Sequence, residues 1–120
     1  MLSHSLDTSS GILYLRPGAP LEKEDFKKLA REVDPLIEKR GSLAGILIEA
    51  PEFPGWESFG ALAAHLRFVR DHHEHVKKIA VVTDSSLGAF AERIASHFVA
   101  ATIRHFPAGS AAEAERWITS

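Results

Sequence analysis

A chain of 120 residues, 45% hydrophobic and 25% charged, has the size and balance of a single globular domain, 1–120, with one buried core. Its formal net charge of −2, with both signs scattered evenly, offers no long-range attraction to a polyanion, so nucleic acid is not an expected partner. Cysteine is absent, which excludes disulfides and thiolate-held zinc and suits a reducing compartment. No run approaches the ~18 apolar residues that span a bilayer, and the opening MLSHSLDTSSG lacks the parts of a signal peptide. A cytoplasmic protein, able to touch the membrane from that side, is the expectation.

The apolar run Ile12 to Leu15, preceded by the turn-type segment DTSSG, predicts a hairpin with a short strand at Leu2 to Leu6. RPGAP then breaks the strand. Phe26, Leu29, Ala30, Val33, Leu36 and Ile37 recur at helical spacing, with Gly41 placed to end the helix and Pro35 expected to kink it or start its last segment. Leu43 to Ile48 is a continuous apolar run, the signature of a central strand covered on both faces. The next helix repeats Phe59, Leu62, Ala63, Leu66 and Val69, which reads as its core stripe; His65, Phe68 and His72 form a second, partly apolar stripe.

Ile79 to Val82 predicts another buried strand, and Leu87, Phe90, Ala91, Ile94, Ala95 and Phe98 a third helix capped from the Thr83 to Ser86 segment. Ala101 to Phe106 reads as a strand near the sheet edge, because Arg104 and His105 interrupt it. Ser110 with Glu113 has the capping-box spacing, and Ala114, Trp117 and Ile118 give the last helix an inner face. The order ββαβαβαβα implies an α/β fold: a mixed, mostly parallel sheet of about five strands with four helices and right-handed crossovers.

The chemistry is sparse. Asp84, Ser85 and Ser86 with His97 or His105 make a nominal Ser/His/Asp set, but the serines sit where a helix cap belongs and no GxSxG elbow surrounds them. Glu49, at the end of a strand, lacks a partner for acid/base work. Asp71, His72, His73 and His75 are close enough on a helix to share an ion, yet no HExxH-type motif accompanies them, so neither a metal nor another cofactor is expected. More informative is the loop Pro51 to Trp56, whose Phe53, Pro54, Gly55 and Trp56 precede a helix with two apolar stripes. Aromatics beside a hinge glycine suit a movable cover over an apolar ligand.

The pattern GW-x-x-FGAL-x-x-HL-x-F-x-R from Gly55 to Arg70 resembles the SpoIIAA-like family of small bacterial STAS-related proteins. So do K-x-I-A-V-V-T-D ending at Asp84, Arg104-His105-Phe106, and EAERWI from Glu113 to Ile118. The resemblance covers nearly the whole chain and implies a STAS-type fold. Two broader relatives share that fold: anti-sigma factor antagonists, which are switched by serine phosphorylation, and Sec14-like lipid carriers. DSSLGAF, Asp84 to Phe90, is similar to the antagonists' DSSGLGAL but follows the fourth strand here, where that loop follows their third. The topological counterpart, FPGWESFGAL from Phe53 to Leu62, keeps only Ser58, and the family's usual tryptophan after Asp84 is replaced, with Leu87 nearest.

These readings converge on a non-enzymatic binding module with Phe53, Trp56, Phe59, Leu62, His65 and Phe68 as ligand-binding candidates. The expected partners are an apolar small molecule or membrane lipid, a second subunit forming a homodimer through the helix 56–75 face, or a regulatory protein. The alternative is an interaction switch of the antagonist type.

Overall fold

Asp7 opens the fold by making the turn its position predicts: its Oδ1 accepts the amides of Ser9 (2.9 Å) and Ser10 (3.3 Å), and its carbonyl accepts Gly11 N–H at 2.8 Å. These backbone donors hold the Asp7 carboxyl below its ordinary range. Strands β1 (Leu2–Asp7) and β2 (Ile12–Pro17) therefore pair antiparallel, from Leu2↔Pro17 to Asp7↔Ile12. The computed structural model describes residues 2–50, 55–84 and 100–120. Within them β3 (Leu43–Glu49), β4 (Val76–Val82) and β5 (Thr102–Phe106) follow in parallel, and the sheet order equals the chain order. This is the mixed, mostly parallel sheet the element order implied. The helix expected over Leu87 to Phe98 lies outside the described residues.

Helix α1 (Lys23–Arg40) joins β2 to β3. It begins where Asp25, itself buried, accepts the Glu22 amide at 2.8 Å, and ends at Gly41, whose N–H reaches the Ile37 carbonyl. The helix runs continuously through Pro35 and does not restart there. The carbonyl of Arg31 forgoes its i+4 donor on the solvent side of the helix, where water can replace it. Helix α2 (Phe59–His72) and a 3₁₀ turn at His73–His75 lead into β4, and α3 (Ala111–Thr119) closes the chain. Ser110 is the N-cap of α3 as expected, but its side chain makes no cap bond: at φ −100°, ψ 26° it is in a turn conformation, not the extended one that aims a cap oxygen at N3.

The two faces of the sheet carry separate cores. Leu13, Leu15 and Ile46 pack with Leu21, Phe26, Leu29 and Val33 under α1; Ile12, Leu47, Ala80, Val82 and Phe106 pack with Ala114 and Ile118 of α3. Helix α3 lies over β3 and β4. It can sit this low because Gly45 has no side chain: a Cβ there would fall 2.5 Å from Ile118 Cγ2 and 2.8 Å from the Lys78 carbonyl oxygen.

Helix α2 departs from the expected assignment at Phe59 and Leu66, while Leu62, Ala63 and Val69 of the same expected stripe are half-buried. Phe59 is 85% and Leu66 61% exposed, while Ala61 is the helix's one fully buried residue. The stripe through Ala61, Ala64, His65, Phe68 and His72 faces inward instead. The reason is that α2 leans on α1 more than on the sheet, and α1 offers Phe26 as a surface for rings to stack on.

Candidate functional site

The loop into α2 is fixed by backbone bonds. Leu21 N–H donates to the Gly55 carbonyl and Glu57 N–H to the Leu21 carbonyl, both at 2.8 Å, so residues 55–57 run parallel to Leu21. Gly55 has φ +83°, a left-handed conformation that a side chain would strain, which explains why glycine precedes the tryptophan. Ser58 caps the helix, its Oγ accepting Ala61 N–H at 3.1 Å. Trp56 is thereby held at the entrance to α2, 38% exposed.

From Trp56 a row of rings runs along the α1–α2 seam. Trp56 Nε1–H donates to His65 Nδ1 at 3.0 Å, and the His65 ring stacks on Phe26 with centroids 4.8 Å apart at 16°. Phe26 meets Phe68 at 6.2 Å, and Phe68 stacks on His72 at 4.1 Å. His72 ends the row, its Nε2 2.7 Å from Asp34 Oδ1 and its Nδ1 2.7 Å from the Phe68 carbonyl. Because His65 Nδ1 accepts a bond, the neutral ring carries its proton on Nε2. Burial pushes its pKa below the ordinary 6.5.

Of the residues singled out from sequence, Trp56, His65 and Phe68 are joined through Phe26, a residue the periodicity had assigned only to the helix core. Leu62 is half-buried beside the exposed Phe59, and Phe53 lies outside the described residues. A shallow groove of about 180 Å³ follows the seam, floored by Phe26, Ala30, Ala64 and Phe68 and rimmed by Lys23, Lys27, Arg67, Asp71 and His72. A second, larger hollow of about 310 Å³ lies elsewhere, on the polar side of the hairpin, between Ser3, Ser5, Tyr14 and Arg16 with His4 at its margin. Burial first, then the Glu115 charge, raises the Tyr14 phenol above its usual range. No motif marks this hollow; it lies where β1 and the Tyr14–Arg16 end of β2 extend past the cover that α3 gives to β3, β4 and Ile12.

The groups considered for catalysis and metal binding have structural employments. Glu49 pairs with Arg16 at 3.0 Å, His105 Nε2 lies 2.7 Å from the Thr83 carbonyl, and Asp84 Oδ1 accepts Ala108 N–H. His73 accepts the Ala100 amide, and Asp71 pairs with Arg70. Among the described residues no three His, Asp or Glu side chains gather as metal ligands. Ser85, Ser86 and His97 fall outside those residues.

A mixed sheet in chain order, helices on both faces, and a capped helix after the third strand define a STAS-type α/β module. The chain belongs to the SpoIIAA-like family, whose model matches residues 12–119. It is also similar to the crystal structure of an uncharacterized protein of Shewanella loihica PV-4 with a SpoIIAA-like fold. That likeness has a TM-score of 0.75 at 19% identity, over 98% of this chain and 92% of the other, and it concerns the fold alone. No functionally curated protein matches this chain. Among the described residues no helix is long and apolar enough to cross a membrane.

Proposed function

We propose that this protein is a non-enzymatic STAS-like binding module that engages acyl-chain chemistry, in a bilayer surface or a free apolar molecule, through the outer face of α2 and Trp56. One observation carries the reading: Phe59 and Leu66 stand 85% and 61% exposed on the helix whose entrance holds the half-exposed Trp56. Large apolar side chains aligned on one exposed helix face are the mark of an interaction surface, where scattered ones would need no explanation. The inner side of α2 is occupied by stacked rings, so the helix has a firm support from which to present that face. The engagement of Glu49, His72 and His105 in intramolecular contacts supports a binding role over a catalytic one.

Two arms separate the sources of the ligand. Flotation with phosphatidylcholine vesicles, with and without phosphatidylglycerol, reads attachment to a bilayer; native mass spectrometry with solvent extraction reads a bound apolar molecule. Trp56→Ala is expected to weaken whichever signal the wild type gives while the domain stays folded. A wild-type protein that neither floats nor carries an apolar molecule would remove the basis for the proposal.

A further inference from the structure

The first strand has two properties that no reading of α2 uses. It is an edge of the sheet, paired on one side with β2 and, among the described residues, with no strand on the other. Its sequence, Leu2-Ser3-His4-Ser5-Leu6, is a palindrome about His4. Exposed edges are usually blunted by proline, lysine, a bulge or an inward charge. Here neither proline nor lysine occurs between Leu2 and Leu6, the one inward ionisable group, His4, is paired with Glu32, and the register against β2 runs without a bulge from Leu2↔Pro17 to Asp7↔Ile12. At the opposite edge β5 carries Arg104 and is followed at once by Pro107.

The orientation of the edge groups follows from the hairpin. Leu2 faces Pro17, which has no N–H to give, and Leu2 N–H turns toward Asp25 Oδ1 at 3.4 Å. In an antiparallel pair the residues that bond the partner alternate with those that face away, so the backbone groups of His4 and Leu6 also point to the open edge. Leu2, His4 and Leu6 lie on the α1 side, where Leu2 and Leu6 join the core and His4 pairs with Glu32; Ser3 and Ser5 lie exposed on the other.

We propose that the β1 edge pairs with the β1 edge of a second copy, antiparallel about a two-fold axis through His4. The pairing sets His4 opposite His4 of the second copy, Leu2 opposite Leu6 and Ser3 opposite Ser5. Every side chain then meets one of its own kind or its own face: leucines extend the α1-side core across the axis, and hydroxyls pair on the polar side. No Lys, Arg, Asp or Glu lies within the five residues, and each His4 at the axis has its own Glu32 beside it. The two sheets become one of ten strands, with both edge groups of His4 and the N–H of Leu6 satisfied by the second backbone, while Leu2 N–H keeps its bond to Asp25. The contact is a single strand pair, smaller than the ~1,000 Å² of a stable interface, so the dimer is a weak, concentration-dependent one.

Sedimentation velocity of the wild type from micromolar to about 1 mM reads the equilibrium. Because the chain has no cysteine, single substitutions then read the register. His4→Cys places two thiols directly opposite, within the 4.4–6.8 Å Cα span a disulfide accepts, whereas Ser5→Cys alone leaves its thiols offset by two residues, about 8 Å apart. The expected result is rapid oxidative dimerisation of His4→Cys, slow dimerisation of Ser3→Cys or Ser5→Cys alone, and rapid heterodimerisation when those two are mixed. The mixed pair uses exposed positions that do not touch Glu32, so it tests the register even if His4→Cys folds poorly. A monomer throughout the concentration range, or equal cross-linking at all three positions, overturns the proposal.

Discussion

Phe59→Ser separates the two roles that hydropathy alone assigns to the same residue. The Phe59 side chain is 85% exposed at the first position of α2, so the folded protein gains little from it. Of the ~200 Å² a phenylalanine presents, ~170 Å² faces water, and at ~25 cal/mol per Å² its complete transfer into an apolar phase contributes ~4 kcal/mol. Half-insertion gives ~2 kcal/mol. The substitution should therefore weaken attachment to vesicles or ligand between ~30-fold and ~700-fold, read by flotation across a lipid titration. Stability should change by less than ~0.5 kcal/mol, a thermal midpoint shift within about 2–3 °C. Phe68→Ser supplies the contrast: Phe68 packs against the α1-side core and stacks on His72, so its loss should cost ~3 kcal/mol of stability. A stable Phe59→Ser protein that floats like the wild type, or one that melts as early as Phe68→Ser, would refute the assignment of faces in α2.

Gly45→Ala should lower the thermal midpoint by roughly 8–15 °C, since its Cβ would meet Ile118 Cγ2 at 2.5 Å and a backbone carbonyl that cannot retreat, an overpacking worth ~2–3 kcal/mol. Ile118→Ala should cost less in the Gly45→Ala background than in the wild type, and additive losses by differential scanning calorimetry would count against the close approach of α3 to β3. His65 makes stability depend on pH in a definite direction. Its depressed pKa means the unfolded chain takes up the proton first, so the contribution is full above pH 6.5 and is lost as pH falls from there through the folded value. In urea titrations at pH 7.5 and 5.5, His65→Phe, which keeps a ring on Phe26, should lose less stability on acidification than the wild type; an identical loss would exclude His65 as the source.

Much of the architecture is legible in single segments. The Leu43 to Ile48 run announces a strand covered twice, and Gly41 marks a helix end through chemistry local to a few residues, whereas the cap at Ser58 emerged only with the structure. The orientation of α2 is different in kind. Hydropathy ranks Phe59 and Leu66 above His65 and His72, but what turns the helix is the pair of small residues Ala61 and Ala64 together with Phe26 and Asp34 on another helix. His72 and Asp34 are 38 residues apart, and no window along the chain contains both. The hollow beside Tyr14 is likewise invisible in sequence, being set by where α3 stops covering the sheet. Ser110 shows the converse: a capping-box spacing is present, but the Pro107 to Gly109 turn sets its backbone angles before the side chain can act.

Sheet order equals chain order, so every strand after the first finds its neighbour already synthesised. A nascent chain ending at Ala50 already contains β1 to β3 in adjacent positions and the helix that covers them, with Arg40 reaching back to the Thr8 and Ser9 carbonyls to hold the hairpin against the crossover. Growth at the ribosome thus adds each new strand to a waiting edge, and no finished part has to reopen to admit a later one. The final helix, docking on Gly45 of the central strand, comes last and seals the second face.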